Sequence, residues 1–184
     1  RFALTSREDI FFTTSFGYQS ELLFFLLHEA RVPARCVFIK SPLAVGGVEE
    51  QKEFLLSKYP VKDYFEVDRT EWVRSLLNGR DFWELDDKTR KLVCRSLKRA
   101  PLIDYIETNS MKAWVTGIRR DQTPSRETLH FMDVTDMGVI KLSPMFNWTT
   151  HHVSEIVKGL GLKTNNEYLD LCKLNDSGEC GLHI

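Results

Sequence analysis

Short apolar runs alternate with amphipathic stretches along most of the chain. Ile10-Phe11-Phe12-Thr13-Thr14 has the length and content of a buried strand. Apolar residues then recur from Leu22 through Leu27, with Ala30 beyond, as in a helix packed on a sheet, and Pro33 ends that helix. Cys36-Val37-Phe38-Ile39 reads as a second strand, with Cys36 a core thiol. Val48-Glu49-Glu50 opens a second helix with acidic residues that suit the helix dipole, and that helix runs to about Tyr59 before Pro60. Tyr64-Phe65-Glu66-Val67 is a third strand. Residues 70–77 form a helix with Thr70 as its N-cap, broken by Asn78-Gly79. Residues 86–106 read as one long basic helical stretch, with Pro101 the place for a kink. Ala113-Trp114-Val115-Thr116-Gly117 is a fourth strand. Leu129 to Val134 and Val139 to Leu142 read as a hairpin turning at Asp136-Met137-Gly138, and Thr149 caps a helix that runs to about Leu160.

Strands alternating with helices predict an α/β fold, a parallel sheet with helices on both faces. The length of 184 residues sets a single domain, 1–184, and a 42% apolar content is enough for a sizeable core. A net charge of −1 argues against nucleic-acid binding, since proteins that track phosphates are usually basic. The longest apolar run has six residues, far too short to span a membrane. No signal peptide is read at the start, which opens on Arg1. The cysteines, Cys36, Cys94, Cys172 and Cys180, show no C-x-x-C spacing. That pattern suits neither zinc nor a disulfide framework, and it fits a reducing, cytoplasmic setting.

Three stretches carry candidate chemistry. Ser15-Phe16-Gly17-Tyr18-Gln19-Ser20 joins a strand to a helix. The free N–H groups of that helix start favour an anion, and the hydroxyls and amide add donors. An ordinary Ser/Gly turn is the competing reading, and no Gly-Lys-Ser/Thr follows to make a Walker A loop. After the fourth strand comes Ile118-Arg119-Arg120-Asp121-Gln122-Thr123-Pro124-Ser125-Arg126. Ligands of open α/β sheets bind beyond the carboxyl ends of strands, so three guanidiniums there suit an anion clamp. The alternative is surface arginines paired with Asp121 and Glu127. The tail, 175–184, ends Glu179-Cys180-Gly181-Leu182-His183-Ile184, which sets a thiol beside a carboxylate and an imidazole. A terminal Cys read by itself is more often an idle exposed thiol. His151 and His152 are adjacent on a helix and point apart, so no metal site is read there.

Glu-Cys-Gly-Leu-His at a C-terminus resembles the catalytic tail of the sulfonucleotide reductases. The family comprises the assimilatory 3′-phosphoadenosine 5′-phosphosulfate (PAPS) and adenosine 5′-phosphosulfate (APS) reductases. The Ser15–Ser20 loop is similar to the Ser-Ser-Phe-Gly-x-Gln phosphate loop of the PAPS branch. Lys98-Arg99-Ala100-Pro101-Leu102 is similar to the family's Lys-x-x-Pro-Leu/Met segment. Gly117, Arg119, Arg120, Gln122 and Arg126 match its Gly-Leu-Arg-Arg-Glu-Gln-x-x-x-Arg motif, and Pro144 to Thr149 its Pro-Leu-x-x-Trp-Thr. The chain departs from the family where Lys40-Ser41-Pro42 replaces Asp-Thr-Gly, and again after Gly161. Lys40 adds a cation where the family has a carboxylate, a change of charge that would favour a 3′-phosphate, although the sequence does not locate it against the ribose. Cluster-bearing APS reductases have Cys-Cys before the Lys segment and C-x-x-C near the end. Here those places read Val93-Cys94 and Cys172-Lys173-Leu174-Asn175, two thiolates where four are normally needed. No iron–sulfur cluster is expected, and Cys94 and Cys172 are read as ordinary thiols.

The resemblance implies a doubly wound, mostly parallel sheet of the adenine nucleotide α-hydrolase-like kind, with a mobile catalytic tail. It implies thiol-dependent reduction of PAPS to sulfite and adenosine 3′,5′-bisphosphate in sulfate assimilation. Cys180 is the implied nucleophile. Ser15, Phe16, Gly17, Gln19, Ser20, Lys98, Gly117, Arg119, Arg120, Gln122, Arg126 and His183 are the implied substrate contacts. No bound cofactor or metal is implied, and thioredoxin or glutaredoxin donates the electrons. The oligomeric state is open, a homodimer included. Three alternatives stand beside this reading. One is an APS reductase without a cluster. Another is an ATP pyrophosphatase-type ligase, against which Gln19 in place of an acidic loop residue argues. The third is a nucleotide-binding module without catalysis.

Overall fold

A computed structural model describes residues 9–174 of the chain. Five parallel strands and one antiparallel edge strand make the main sheet, in the order β4-β2-β1-β5-β7-β6. The strands are β1 (Ile10–Thr14), β2 (Arg35–Lys40), β4 (Tyr64–Asp68), β5 (Ala113–Val115), β6 (Met132–Val134) and β7 (Ile140–Leu142). A separate two-stranded ribbon pairs β3 (Ala44–Val45) with β8 (Leu169–Asp170). The helices are α1 (Ser20–Glu29), α2 (Val48–Lys58), α3 (Thr70–Leu77), α4 (Asp87–Thr108) and α5 (Thr150–Gly159).

The period of two along each strand divides the core between the two faces of the sheet. Ile10, Phe12, Cys36, Phe38, Ala113 and Val115 join residues of α1, α2 and α5, among them Leu23, Leu55 and Val153. Phe11, Val37 and Trp114 face the other way, onto Leu102, Tyr105 and Ile106 of α4. Central strands buried on both faces read as continuous apolar runs, as Ile10–Phe12 and Cys36–Ile39 do. Burial pushes the Cys36 thiol well above its usual range and keeps it protonated.

Most elements stand where the apolar pattern puts them, and the differences have local causes. The helix 70–77 is present, but Thr70 is its first residue. The Asp68 carboxylate accepts from the Thr70 N–H at 2.7 Å, so Asp68 does the capping expected of Thr70. α4 runs unbroken through buried Pro101. The hairpin forms with Gly138 in the left-handed region, φ 74°, and the Gly138 N–H donates to the Thr135 carbonyl. Thr149 caps α5 in a reciprocal pair with His152, whose ring Nδ1 accepts from the Thr149 N–H.

One expectation is corrected. Cys94 and Cys172, read from their spacing as ordinary thiols, are joined in a disulfide, with Cα atoms 5.5 Å apart across 78 residues of sequence. The fold brings them together by setting Asp170–Lys173 against α4, a juxtaposition that sequence spacing does not reveal.

Candidate active site

The strand order reverses beside β1, since β2 lies on one side of it and β5 on the other. At such a switch point the loops leaving neighbouring strands separate and open a crevice. A cavity of about 350 Å3 occupies that crevice. Its wall comes from the carboxyl ends of three strands, through Thr13 and Thr14, Val37 to Ile39, and Thr116 to Ile118. Ser15, Gln19, Ser20, Leu23, Ala44, Lys98, Gln122, Thr123, Arg126, Tyr168 and Lys173 complete it.

The loop 15–20 is shaped by Phe16. Its φ is 52°, in the left-handed region that costs a non-glycine residue about 1–2 kcal/mol. Its ring is fully buried against Phe38 and Phe24, which offsets that cost by about 2–3 kcal/mol. The side chain of Phe16 thus anchors the loop in the core, while its backbone takes part in the turn. Thr14 Oγ1 accepts from the Phe16 N–H at 3.1 Å and donates to Ser20 Oγ at 3.1 Å. Gln19 Nε2 donates to the Gly117 carbonyl, fastening this loop to the one that follows β5. A Cβ at Gly117 would stand 3.2 Å from that same Nε2, so the close approach favours glycine.

The arginine loop separates into two parts. Arg126 lines the cavity, is buried, and donates to Gln122 Oε1, which also accepts the Arg119 N–H at 3.1 Å. Arg119 is buried and turned to α5: its Nη2 donates to Thr150 Oγ1 at 2.9 Å, and its Nε lies 3.3 Å from Asp121. Burial pulls the Arg119 guanidinium below its ordinary pKa, which Asp121 opposes. Arg120 is exposed over the Phe146 ring, 5.0 Å from its centroid, and lines a shallower hollow with Asp121, Glu127 and Trp148. The structure therefore brings Ser15, Gln19, Ser20, Lys98, Gly117, Gln122 and Arg126 to one cavity. It sets Arg119, Arg120 and the side chain of Phe16 outside that cavity, and Gly17 behind Tyr168. Cys180 and His183 lie outside the described residues. Lys40 does not line the cavity: its ammonium is 2.7 Å from Glu49 and 3.9 Å from Glu66.

Residues that sequence reasoning passed over come from 163–173, which lies as a strap across the binding elements. The Lys163 N–H donates to buried Glu21 of α1. Buried Asn165 donates at 2.9 Å to the carbonyls of both Phe16 and Gly46. Gly46, at φ 85°, lies so close to the strap that a Cβ would fall 1.9 Å from the Glu167 carbonyl oxygen. The Tyr168 ring covers Gly17, leaving 2.8 Å for a Cβ there. Asp170, buried among Lys98, Tyr168 and Lys173, forms an ion pair with Lys98. The single sequence signal for Asp170 is an acidic residue two positions before a cysteine, and nothing in the sequence sets it against Lys98. Among the described residues no group of three or more His, Cys, Asp or Glu side chains could hold a metal ion. The two thiols at the family's cluster positions are bonded to each other.

A doubly wound sheet with a crevice at its switch point is an α/β fold of the adenine nucleotide α-hydrolase-like kind. The chain belongs to the phosphoadenosine phosphosulfate reductase domain family, whose model matches residues 9–171, which makes it an oxidoreductase of the sulfonucleotide class. It is 24% identical to adenosine 5′-phosphosulfate reductase 2 of Bacillus subtilis, covering 97% of this chain and 85% of the relative. It is 25% identical to adenosine 5′-phosphosulfate reductase 1 of the same organism, covering 93% and 70%. In fold it is similar to the PAPS reductase of Candida auris, with a TM-score of 0.69 over 90% of this chain and 79% of that one at 19% identity. It is also similar to the NMN synthetase of Francisella tularensis, with a TM-score of 0.55 over 85% and 63% at 13% identity. Among the described residues no helix is long and apolar enough to cross a membrane.

Proposed function

We propose that the protein is a cytoplasmic reductase that takes PAPS to sulfite and adenosine 3′,5′-bisphosphate through a sulfonate carried on Cys180. The observation that supports this reading most is the convergence of the Ser15–Ser20 loop, Lys98 and Arg126 on one cavity at the switch point. The adenosine suits the apolar strand ends Val37 to Ile39, and the phosphosulfate suits the polar end. Cations there stabilise negative charge that builds on the phosphate as the sulfur–oxygen bond breaks. The Cys180 thiolate attacks the sulfur. A sulfur–sulfur bond forms, and the electron pair of the breaking bond leaves on the phosphate oxygen. Positive charge around the cavity favours the thiolate over the thiol. A thioredoxin or glutaredoxin thiolate then attacks Cys180, releases sulfite and leaves a mixed disulfide, which the donor's second thiol resolves.

The phosphate loop favours PAPS, since Ser15-Phe16-Gly17-x-Gln19 resembles that branch. APS is the second reading, favoured by the Bacillus relatives, which are named for it. The deciding experiment is the intact mass of the reduced chain after mixing with each nucleotide and no reductant. An added sulfonate on Cys180 is expected, faster with PAPS, and Cys180→Ser should bind nucleotide and gain no mass. Sulfite formation by Cys180→Ser would overturn the reading, and faster labelling by APS would reassign the substrate.

A further inference from the structure

The chemistry proposed for Cys180 makes no use of the Cys94–Cys172 bond or of Asp170, and the two are built together. Cys94 and Lys98 are one turn apart on α4 and therefore share a face. Asp170 and Cys172 are two residues apart on the strap. The strap thus meets α4 through two adjacent links, one covalent and one ionic. A third contact couples them, because the Cys172 N–H donates to Asp170 Oδ1 at 3.1 Å while Asp170 Oδ2 faces Lys98. Fixing Cys172 on α4 therefore fixes the carboxylate on Lys98. Lys98 lines the cavity, so a buried internal anion occupies the cation that an incoming anion would use.

Besides the disulfide, the ion pair and a 2.8 Å hydrogen bond from the Leu171 N–H to the Leu43 carbonyl, this end of the strap carries little regular structure. β8 pairs with β3 through two residues, and Leu171–Lys173 form a single short turn. Leu169 and Leu174 on either side of that turn are exposed. Both sulfurs belong to buried residues, so exchange with an outside thiol requires this end of the strap to lift first.

We propose that Cys94 and Cys172 form a redox-active pair that serves as a latch on Lys98. In the oxidised chain Asp170 is clamped to the ammonium and competes with the ligand. A dithiol donor transfers two electrons: its thiolate attacks one sulfur, the mixed disulfide is resolved by its second thiol, and two cysteine thiols and one donor disulfide result. The strap then gains freedom, Asp170 can leave, and Lys98 can turn to an anion in the cavity. Dithiol is also the class of reductant that the proposed sulfite-releasing step consumes, so the latch would open when that step can be supplied. The ligand's identity rests on the function proposed above, whereas the redox behaviour of the strap does not.

The full chain can be equilibrated in mixtures of oxidised and reduced dithiothreitol, quenched by alkylation and weighed. One two-electron transition mapping to Cys94 and Cys172 is expected. Hydrogen exchange over residues 163–173 should quicken on reduction. The dissociation constant of adenosine 3′,5′-bisphosphate should fall about fivefold or more. Wild type in its two redox states suffices for this test. The C94S/C172S double variant should match the reduced protein in every buffer. Equal exchange and equal affinity in both states would overturn the proposal, as would a bond that dithiothreitol reduces only in the unfolded chain. If the nucleotide binds in neither state, the functional reading fails, and exchange over 163–173 by itself decides the latch.

Discussion

The ammonium of Lys98 and the carboxylate of Asp170 form an ion pair in which the side chains are 10% and 1% exposed, on the wall of the cavity that suits an anionic ligand. A pair so little hydrated depends on both members, because removing one leaves the other charged and uncompensated. Asp170→Asn should therefore lower stability by about 3 kcal/mol, or roughly 6–12 °C in Tm. The loss should be partly recovered by inorganic phosphate, which can take the place of the carboxylate. Thermal melts with and without phosphate check this: the phosphate-induced rise in Tm is expected to be larger for Asp170→Asn than for wild type.

Arg126 and Arg119 should separate binding from folding. Arg126 lines the cavity, so Arg126→Gln should weaken adenosine 3′,5′-bisphosphate about 10- to 100-fold, the loss of a charge-assisted contact. Arg119 instead ties the loop to Thr150 and Asp121, so Arg119→Gln should lower the urea midpoint by more than Arg126→Gln does. Arg120→Ala should change either property least, since Arg120 is exposed. Calorimetric titration and urea unfolding of the three variants give the comparison.

Gly46 is expected to be the least replaceable glycine of the strap contact. Gly46→Ala adds a Cβ 1.9 Å from a backbone oxygen and holds alanine at φ 85°. A loss of about 3 kcal/mol is expected, because the backbone of the strap must move. Gly79→Ala serves as the comparison. Its φ is 79° and nothing lies within 4 Å, so backbone strain alone should cost about 1 kcal/mol. Urea unfolding of both variants should show the difference.

Acid should erase the contribution of Glu49. Hydrogen bonds from Lys40 and Lys52 hold its carboxyl below the ordinary value of 4.5. A carboxyl with a depressed folded pKa adds stability that is fully present above 4.5 and disappears as pH falls through the lower folded value. Half of the side chain is exposed, so the contribution is about 0.5 kcal/mol, or roughly 1–2 °C in Tm. Glu49→Gln should melt lower than wild type at pH 6 and together with it near pH 3. A gap that persists at pH 3 would show that the ion pair is not its cause.

The sheet and its helices were legible because central strands and amphipathic helices write their burial into local periodicity. Ile10–Thr14, Cys36–Ile39 and Ala113–Val115 are such stretches, and their alternation with helices implies a parallel sheet, although not the strand order that opens the crevice at β1. The loops 15–20 and 118–126 were legible as candidate site elements because each follows a strand directly. What stayed hidden depends on contacts between distant residues. Phe16 reads as a substrate contact of its loop until its ring is seen in the core. Arg119 and Arg126 look equivalent until the 3-10 turns after β5 aim them apart. The strap carries little regular structure, and its holds on Glu21, Phe16, Gly46, Lys98 and Cys94 span up to 149 residues of sequence. No local pattern encodes such pairings.

The disulfide at the end of the strap also closes a covalent loop across 78 residues of sequence. A cross-link of that span restricts the unfolded chain, and loop closure adds about 4 kcal/mol to the stability of the oxidised protein. Reduction therefore shifts the folding equilibrium of the whole domain as well as the seat of the strap.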